Sequence, residues 1–124
     1  MKLSVLKTLV AGAAALLASA GALAQINVGI SLSLTGPGSG LGIPMQNQFK
    51  TWPQTIAGEK VNLIILDDAS DPGKGVNDAR RFVTEDKVDL IIGSCLTPVA
   101  AAMAPVAAEA RTVQLAASPV GVPP

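Results

Sequence analysis

Side chains able to do chemistry are few in this sequence and fall in four short stretches. These are the glycine-rich Thr35–Gly42, "TGPGSGLG"; the acidic pair Asp67–Asp68 in "LDDASDP"; the cluster Ser94, Cys95 and Thr97 in "GSCLTP"; and Ser118, after "QLAA". Histidine and tyrosine are absent and Cys95 is the single cysteine. No Cys–His or Ser–His nucleophile pair can form. A structural zinc site of Cys/His type and an intramolecular disulfide are equally out of reach. Carboxylates remain, but no two are placed as a general acid and base.

Each stretch can be tested against the chemistry it suggests. The dinucleotide fingerprint needs glycines at i, i+2 and i+5. Counting from Gly36 the third position is Leu41, and from Gly38 it is Ile43, so both registers fail. A triphosphate-binding loop needs Gly-Lys-Ser/Thr, and this loop has no lysine. What remains is a flexible turn or a backbone that something can approach closely. An Asp67–Asp68 pair at a strand end could hold magnesium only with a further aspartate after the third strand, where Gly93–Ser94 stands. The pair is expected to order its own loop with Ser70 and Asp71, accepting backbone N–H bonds. Thr97 is expected to cap a helix that Pro98 opens. Such a helix start carries unpaired N–H groups and a partial positive charge, and so suits a carboxylate or phosphate. Its chemistry alone leaves a plain cap and an anion site even. Ala116–Ala117–Ser118 places small side chains and one hydroxyl at a strand end, which alone says no more than that a loop starts there.

The elements that must position these groups follow from periodicity. Ile26–Leu34 has apolar residues at every second position and reads as a first strand. Ile43–Ile56 reads as a helix broken or kinked at Pro53. Val61–Leu66 is a second strand. Asp71 caps, and Pro72 opens, a helix with an apolar stripe at Val76, Ala79, Phe82 and Val83. Val88–Ile92 is a third strand, Pro98–Ala110 an alanine-rich helix bent at Pro105, and Thr112–Ala116 a fourth strand. This alternation predicts an α/β fold, an open parallel β-sheet flanked by helices. Right-handed crossovers favour the strand order 2-1-3-4. Its switch point lies between strands one and three, where ligands bind outside the carboxyl ends of the strands. The loops there are "TGPGSGLG" and "GSCLTP", and this placement favours the anion site over the plain cap.

Residues 1–24 read as a signal peptide, with Lys2 and Lys7 before an apolar core and Ala22–Leu23–Ala24 before a cut between Ala24 and Gln25. The expected location is the periplasm. Position 25 is not the cysteine that a lipid-anchored form requires. The signal takes two of the nine basic residues, leaving seven against nine acids, a net charge of −2. With so few basic and aromatic residues, nucleic acid is not expected as a partner. No cofactor and no metal are expected. Residues 25–124 suffice for one small core.

"INVGISLSLTGPGSGLG", "LDDASDP", "VDLIIGS" and "APVAAEA", in that order and spacing, resemble the type I periplasmic solute-binding proteins of the leucine/isoleucine/valine-binding group. The resemblance covers essentially all of residues 26–120. It implies two α/β lobes that close on a small ligand, of which this chain supplies part of the first, with the second lobe absent. It also implies a small-molecule ligand, an amino acid or related carboxylate, and the membrane permease of an ABC transporter as partner. Ligand contacts carried over by the resemblance are Thr97 for the α-carboxylate, Ala116 and Ser118 after the fourth strand, and Leu41 where the family often has an aromatic. The acidic group that receives the ligand ammonium belongs to the second lobe. The family's disulfide near these loops cannot form with Cys95 alone. The competing readings are a small periplasmic α/β enzyme and a truncated, non-functional fragment.

Overall fold

A computed structural model of the chain describes residues 24–119. The expected signal peptide therefore lies outside the described residues, Ala24 apart. Among the described residues, no helix is long and apolar enough to cross a membrane.

Strand β1 spans Gln25–Leu32, helix α1 Ser39–Phe49, β2 Thr55–Ile56 and β3 Glu59–Asp67. Helix α2 follows at Pro72–Thr84, then β4 at Leu90–Gly93, α3 at Thr97–Glu109 and β5 at Val113–Leu115. The sheet order is β2-β3-β1-β4-β5. β1 pairs in parallel with β3 and β4, and β4 with β5, whereas the short β2 runs antiparallel to β3. The four main strands thus lie in the order read from the alternation of elements, with the switch point between β1 and β4.

Side chains alternate across β1 because a strand has a period of two. Val28, Ile30 and Leu32 join Phe49 of α1, Val61, Ile92 and Cys95 in one core cluster. The opposite cluster holds Ala79 and Phe82 of α2, Val88, Ile91, and Val99, Met103 and Ala107 of α3. On that side β1 offers Gly29, and the fully buried Phe82 ring sits on it: a Cβ at Gly29 would lie 2.6 Å from Phe82 Cγ. The apolar stripe of α2 could therefore come down onto the sheet only over a residue without a side chain.

The first strand ends at Leu32 rather than Leu34 and the third begins at Leu90 rather than Val88, and larger differences from the sequence reading fall around α1 and at the start of α3. Helix α1 begins at Ser39, inside the stretch read as a loop, and ends at Phe49 rather than Ile56. Its first turn is seated on the backbone after β1, where a Cβ at Gly42 would run into the Ser33 carbonyl oxygen. Tertiary seating thus overrides the poor helix propensity of glycine. Thr55–Ile56 is not helix but turns back along β3 through Ala57 and Gly58, both at positive φ. That pair of conformations is what a tight two-residue hairpin requires. Helix α3 begins at Thr97 with Leu96 as its N-cap, and no side chain caps it. Thr97 is therefore the first residue of the helix, not its cap. Asp71 does cap α2, accepting from Lys74 N at 2.8 Å.

Asp67 ties the loop after β3 to the loop after β1. Its Oδ1 accepts the N–H groups of Leu34 (2.9 Å), Thr35 (3.1 Å) and Ala69 (2.8 Å), and its Oδ2 the Thr35 hydroxyl (2.7 Å). Ala69 and Ser70 both take positive φ, so the chain reverses at once after Asp68. The Ser70 hydroxyl then donates to Thr35 O at 3.0 Å and accepts Gly38 N–H at 2.9 Å. The acidic pair orders its own loop, as read, and also holds the glycine-rich one.

Two outcomes follow. Replacing Gly29 by alanine forces a methyl into the Phe82 ring and is expected to cost about 1–3 kcal/mol in urea unfolding. Unchanged stability would show that Phe82 is free to move. Burial pulls the Asp67 pKa up, but the hydrogen bonds from Thr35, Ala69 and Leu34 outweigh it and leave the pKa below the ordinary value of 3.8. A lowered pKa adds stability that is present above 3.8 and lost as pH falls through the folded-state value. In thermal melts the gap between wild type and Asp67→Asn should therefore narrow below about pH 4. A gap independent of pH would remove Asp67 from this role.

Candidate functional site

The tips of three neighbouring strands meet in one buried polar cluster. β1, β3 and β4 end at Leu32, Asp67 and Gly93, and the next residue of each is Ser33, Asp68 and Ser94. All three are fully buried, as is Ser31. Asp68 Oδ1 accepts the Ser33 hydroxyl at 2.6 Å and Ser70 N–H at 2.9 Å. Asp68 Oδ2 accepts the Ser94 hydroxyl at 2.6 Å and lies 3.3 Å from the Ser31 hydroxyl. Every partner is a donor, and a buried carboxylate so surrounded meets the desolvation cost that would otherwise exclude it. Ser31 Oγ has a second acceptor at 3.0 Å, Asp78 Oδ2 on α2. The Asp78 pKa is raised, first by burial and then by the charges of Asp68 and Asp67, against the Ser31 hydrogen bond and Arg81.

The period-two pattern of Ile26–Leu34 does not reveal this cluster, because in it Ser31 and Ser33 are merely the polar alternates of an apolar strand. A signal was present. The two serines sit on the face of β1 opposite its apolar residues, near the strand end, level with the end of β3 and its acidic pair. Such a row of small hydroxyls on a face that a helix covers needs a buried acceptor.

The residues expected to contact a ligand do not share one cleft: Thr97 and Leu41 lie outside the one that Ala116 and Ser118 line. Thr97 is exposed on the first turn of α3, and its hydroxyl donates to Pro119 O at 3.2 Å. That contact puts the start of α3 beside the segment after β5, which carries Ala116 and Ser118. Ala116 is exposed and Ser118 is partly buried. Both line an open cleft of about 580 Å³ between α3 and β5, together with Ala100, Ala104 and Gln114. The Gln114 amide donates to Gly93 O (2.9 Å) and Ala100 O (3.1 Å), holding α3 against the end of β4. Gln114 Oε1 and Ser118 Oγ are buried without a hydrogen-bond partner. Leu41 stands apart on α1, 56% exposed, and does not line this cleft. The starts of α1 and α3 are nevertheless neighbours, since a Cβ on Gly38, the residue before α1, would lie 2.7 Å from Leu96 Cδ1.

The start of α3 has what an anion site needs from a backbone. Thr97 and Val99 occupy the first turn, where N–H groups have no intrahelical acceptor, and Pro98 has no N–H to offer. No acidic residue lies in that turn and no side chain caps it. Among the described residues, no group of three or more His, Cys, Asp or Glu side chains could hold a metal ion. Asp67 and Asp68 spend their oxygens on the loops.

Comparison with known proteins fits this geometry. The model of the family described as periplasmic binding protein matches residues 25–123. No curated protein matches the chain. Among solved structures, an extracellular ligand-binding receptor from Rhodopseudomonas palustris is 43% identical, with a TM-score of 0.78, over 81% of this chain and 28% of that one. A solute-binding protein of an ABC transporter from the same species, in complex with 3,4-dihydroxybenzoic acid, is 31% identical, with a TM-score of 0.71, over 76% of this chain and 27% of that one. A leucine-binding protein from Thermotoga maritima is 30% identical, with a TM-score of 0.65, over 75% and 28% of the two chains. This chain thus spans a little over a quarter of the length of these similar proteins. All three are ligand- or solute-binding proteins. By the matched family model and these relatives, the chain belongs to the periplasmic binding proteins of ABC transporters, in the type I fold.

Proposed function

We propose that residues 25–124 form the carboxylate-docking wall of a solute-binding protein that captures a small acid between two lobes and presents it to a membrane permease. The reading takes the chain as part of a first lobe, exported to the periplasm and cut between Ala24 and Gln25. It assigns no chemical step. A ligand carboxylate accepts the Thr97 hydroxyl and the free N–H groups of the first turn of α3. Ala116 and Ser118 face it from the segment after β5, and Leu41 contributes apolar surface from α1. The observation that carries this is the uncapped start of α3 at the switch point, with Thr97 exposed and no acid beside it.

The ligand class is small carboxylates, amino acids or aromatic acids among them. Relatives support both: one is crystallised with 3,4-dihydroxybenzoic acid, another is named for leucine. No cationic side chain stands in the first turn of α3, so this wall supplies only backbone dipoles and a hydroxyl. Hydrogen bonds to a charged partner contribute about 1.5–3 kcal/mol each. A few of them, set against the cost of association, give a weak half-site.

Amide shifts of the labelled chain, followed by NMR during titration with leucine, phenylalanine and 3,4-dihydroxybenzoate, test the reading. Perturbation should centre on Thr97, Val99 and Ser118, should saturate only weakly, and should be lost for leucinamide and in Thr97→Ala. Equal response to leucinamide, which lacks the carboxylate, or shifts elsewhere on the surface, would refute the docking site. Micromolar affinity would refute the half-site, because one wall alone would then suffice.

A further inference from the structure

We propose that Asp68 is a positioning residue that couples the two loops of the crevice, so that the loop after β1 and the start of α3 hold or lose their places together. The inference rests on hydrogen-bond connectivity at the strand tips. Ser33 opens the loop that leads into α1, and Ser94 opens the loop that leads into α3. These loops lie on opposite sides of the switch point. Their hydroxyls bind the two oxygens of one carboxylate, each at 2.6 Å. Bonds this short between hydroxyl and carboxylate belong to the charge-assisted class, stronger than neutral pairs.

The path continues beyond the carboxylate on both sides. Ser94 Oγ accepts Leu96 N–H at 3.4 Å, and Leu96 is the N-cap of α3, one residue before Thr97. Ser70, whose N–H binds Asp68 Oδ1, uses its hydroxyl to hold Thr35 O and Gly38 N–H, and Gly38 is the N-cap of α1. One buried carboxylate is thus two hydrogen bonds from the cap of each helix that borders the crevice. A buried network whose members are all satisfied is more rigid than its separate pairs, and losing one member is felt by the rest.

A purely structural role for Asp68 would predict something different: removing any one bond would loosen only its own loop, or destabilise the molecule evenly. Coupling predicts transmission across the carboxylate. The consequence for binding rests on reading the start of α3 as the ligand wall, but the coupling itself does not, and its test uses no ligand.

The experiment is amide hydrogen exchange on the full chain and on Ser33→Ala, Ser94→Ala and Asp68→Asn. Ser33→Ala removes no hydrogen bond of α3 or of the loop before it, since the Ser33 hydroxyl donates to Asp68. It should nonetheless speed exchange at Leu96 and Ala100, whose N–H groups are hydrogen-bonded, by about tenfold or more, while Val28 and Ile30 in the sheet keep their protection. Reciprocally, Ser94→Ala should speed exchange at Gly38 and Leu41. Acceleration confined to the mutated loop, or spread evenly over the sheet, would overturn the proposal. If Asp68→Asn unfolds, the two serine variants still decide the matter. Ser33→Thr, which restores a hydroxyl, should return α3 exchange toward wild type, and failure to do so while the chain remains folded would also count against the coupling.

Discussion

A carboxylate with no cation beside it sits at the tips of three strands, and the rest of the upper face is arranged around it. Asp68 is fully buried, and its two oxygens take the hydroxyls that follow β1 and β4 and the N–H of the turn that follows β3. A charged group in such a place is tolerated only when its donors are already in position. The constraint therefore runs both ways: the strands must be in register for the donors to converge, and the donors hold the loops above the strands. Asp67, one residue earlier, faces the other way and fastens the glycine-rich loop. The two adjacent acids do different work because successive residues of a strand point to opposite faces.

This arrangement suits a receptor. Loops that must meet a ligand repeatedly in the same geometry need their backbone fixed from below, since the upper side is left open for the ligand. Here the fixing is done by the buried Ser33, Asp68 and Ser94, while Thr97 at the start of α3 is exposed. The family to which the chain belongs binds solutes.

Much of the architecture was legible in the sequence because periodicity and connection rules are local. The alternation of Ile26, Val28, Ile30, Leu32 and Leu34, the Asp71–Pro72 helix start and the apolar stripe through Phe82 each carried their own signal, and the strand order followed from crossover handedness. What was not legible depended on contacts distant in sequence. The first turn of α1 looked like loop because Gly40 and Gly42 are poor helix formers; it is helical because Gly42 rests against Ser33. Ile56 looked like helix because the antiparallel β2 exists only once β3 is beside it. Thr97 looked like a cap because it precedes Pro98, yet the helix begins one residue earlier and its hydroxyl reaches Pro119 instead. The serine cluster stayed hidden because no single stretch contains it: its members come from 31, 33, 68 and 94.

The position of Thr97 is where fold and function meet, so the most direct measurement is a crystal structure of the chain grown with 3,4-dihydroxybenzoate at saturating concentration. A carboxylate oxygen is expected within hydrogen-bonding distance of Thr97 Oγ1 and of the Val99 N–H, with the Asp68 bonds to Ser33 and Ser94 intact. A carboxylate bound away from the start of α3, with Thr97 still turned to Pro119, would contradict the proposed docking.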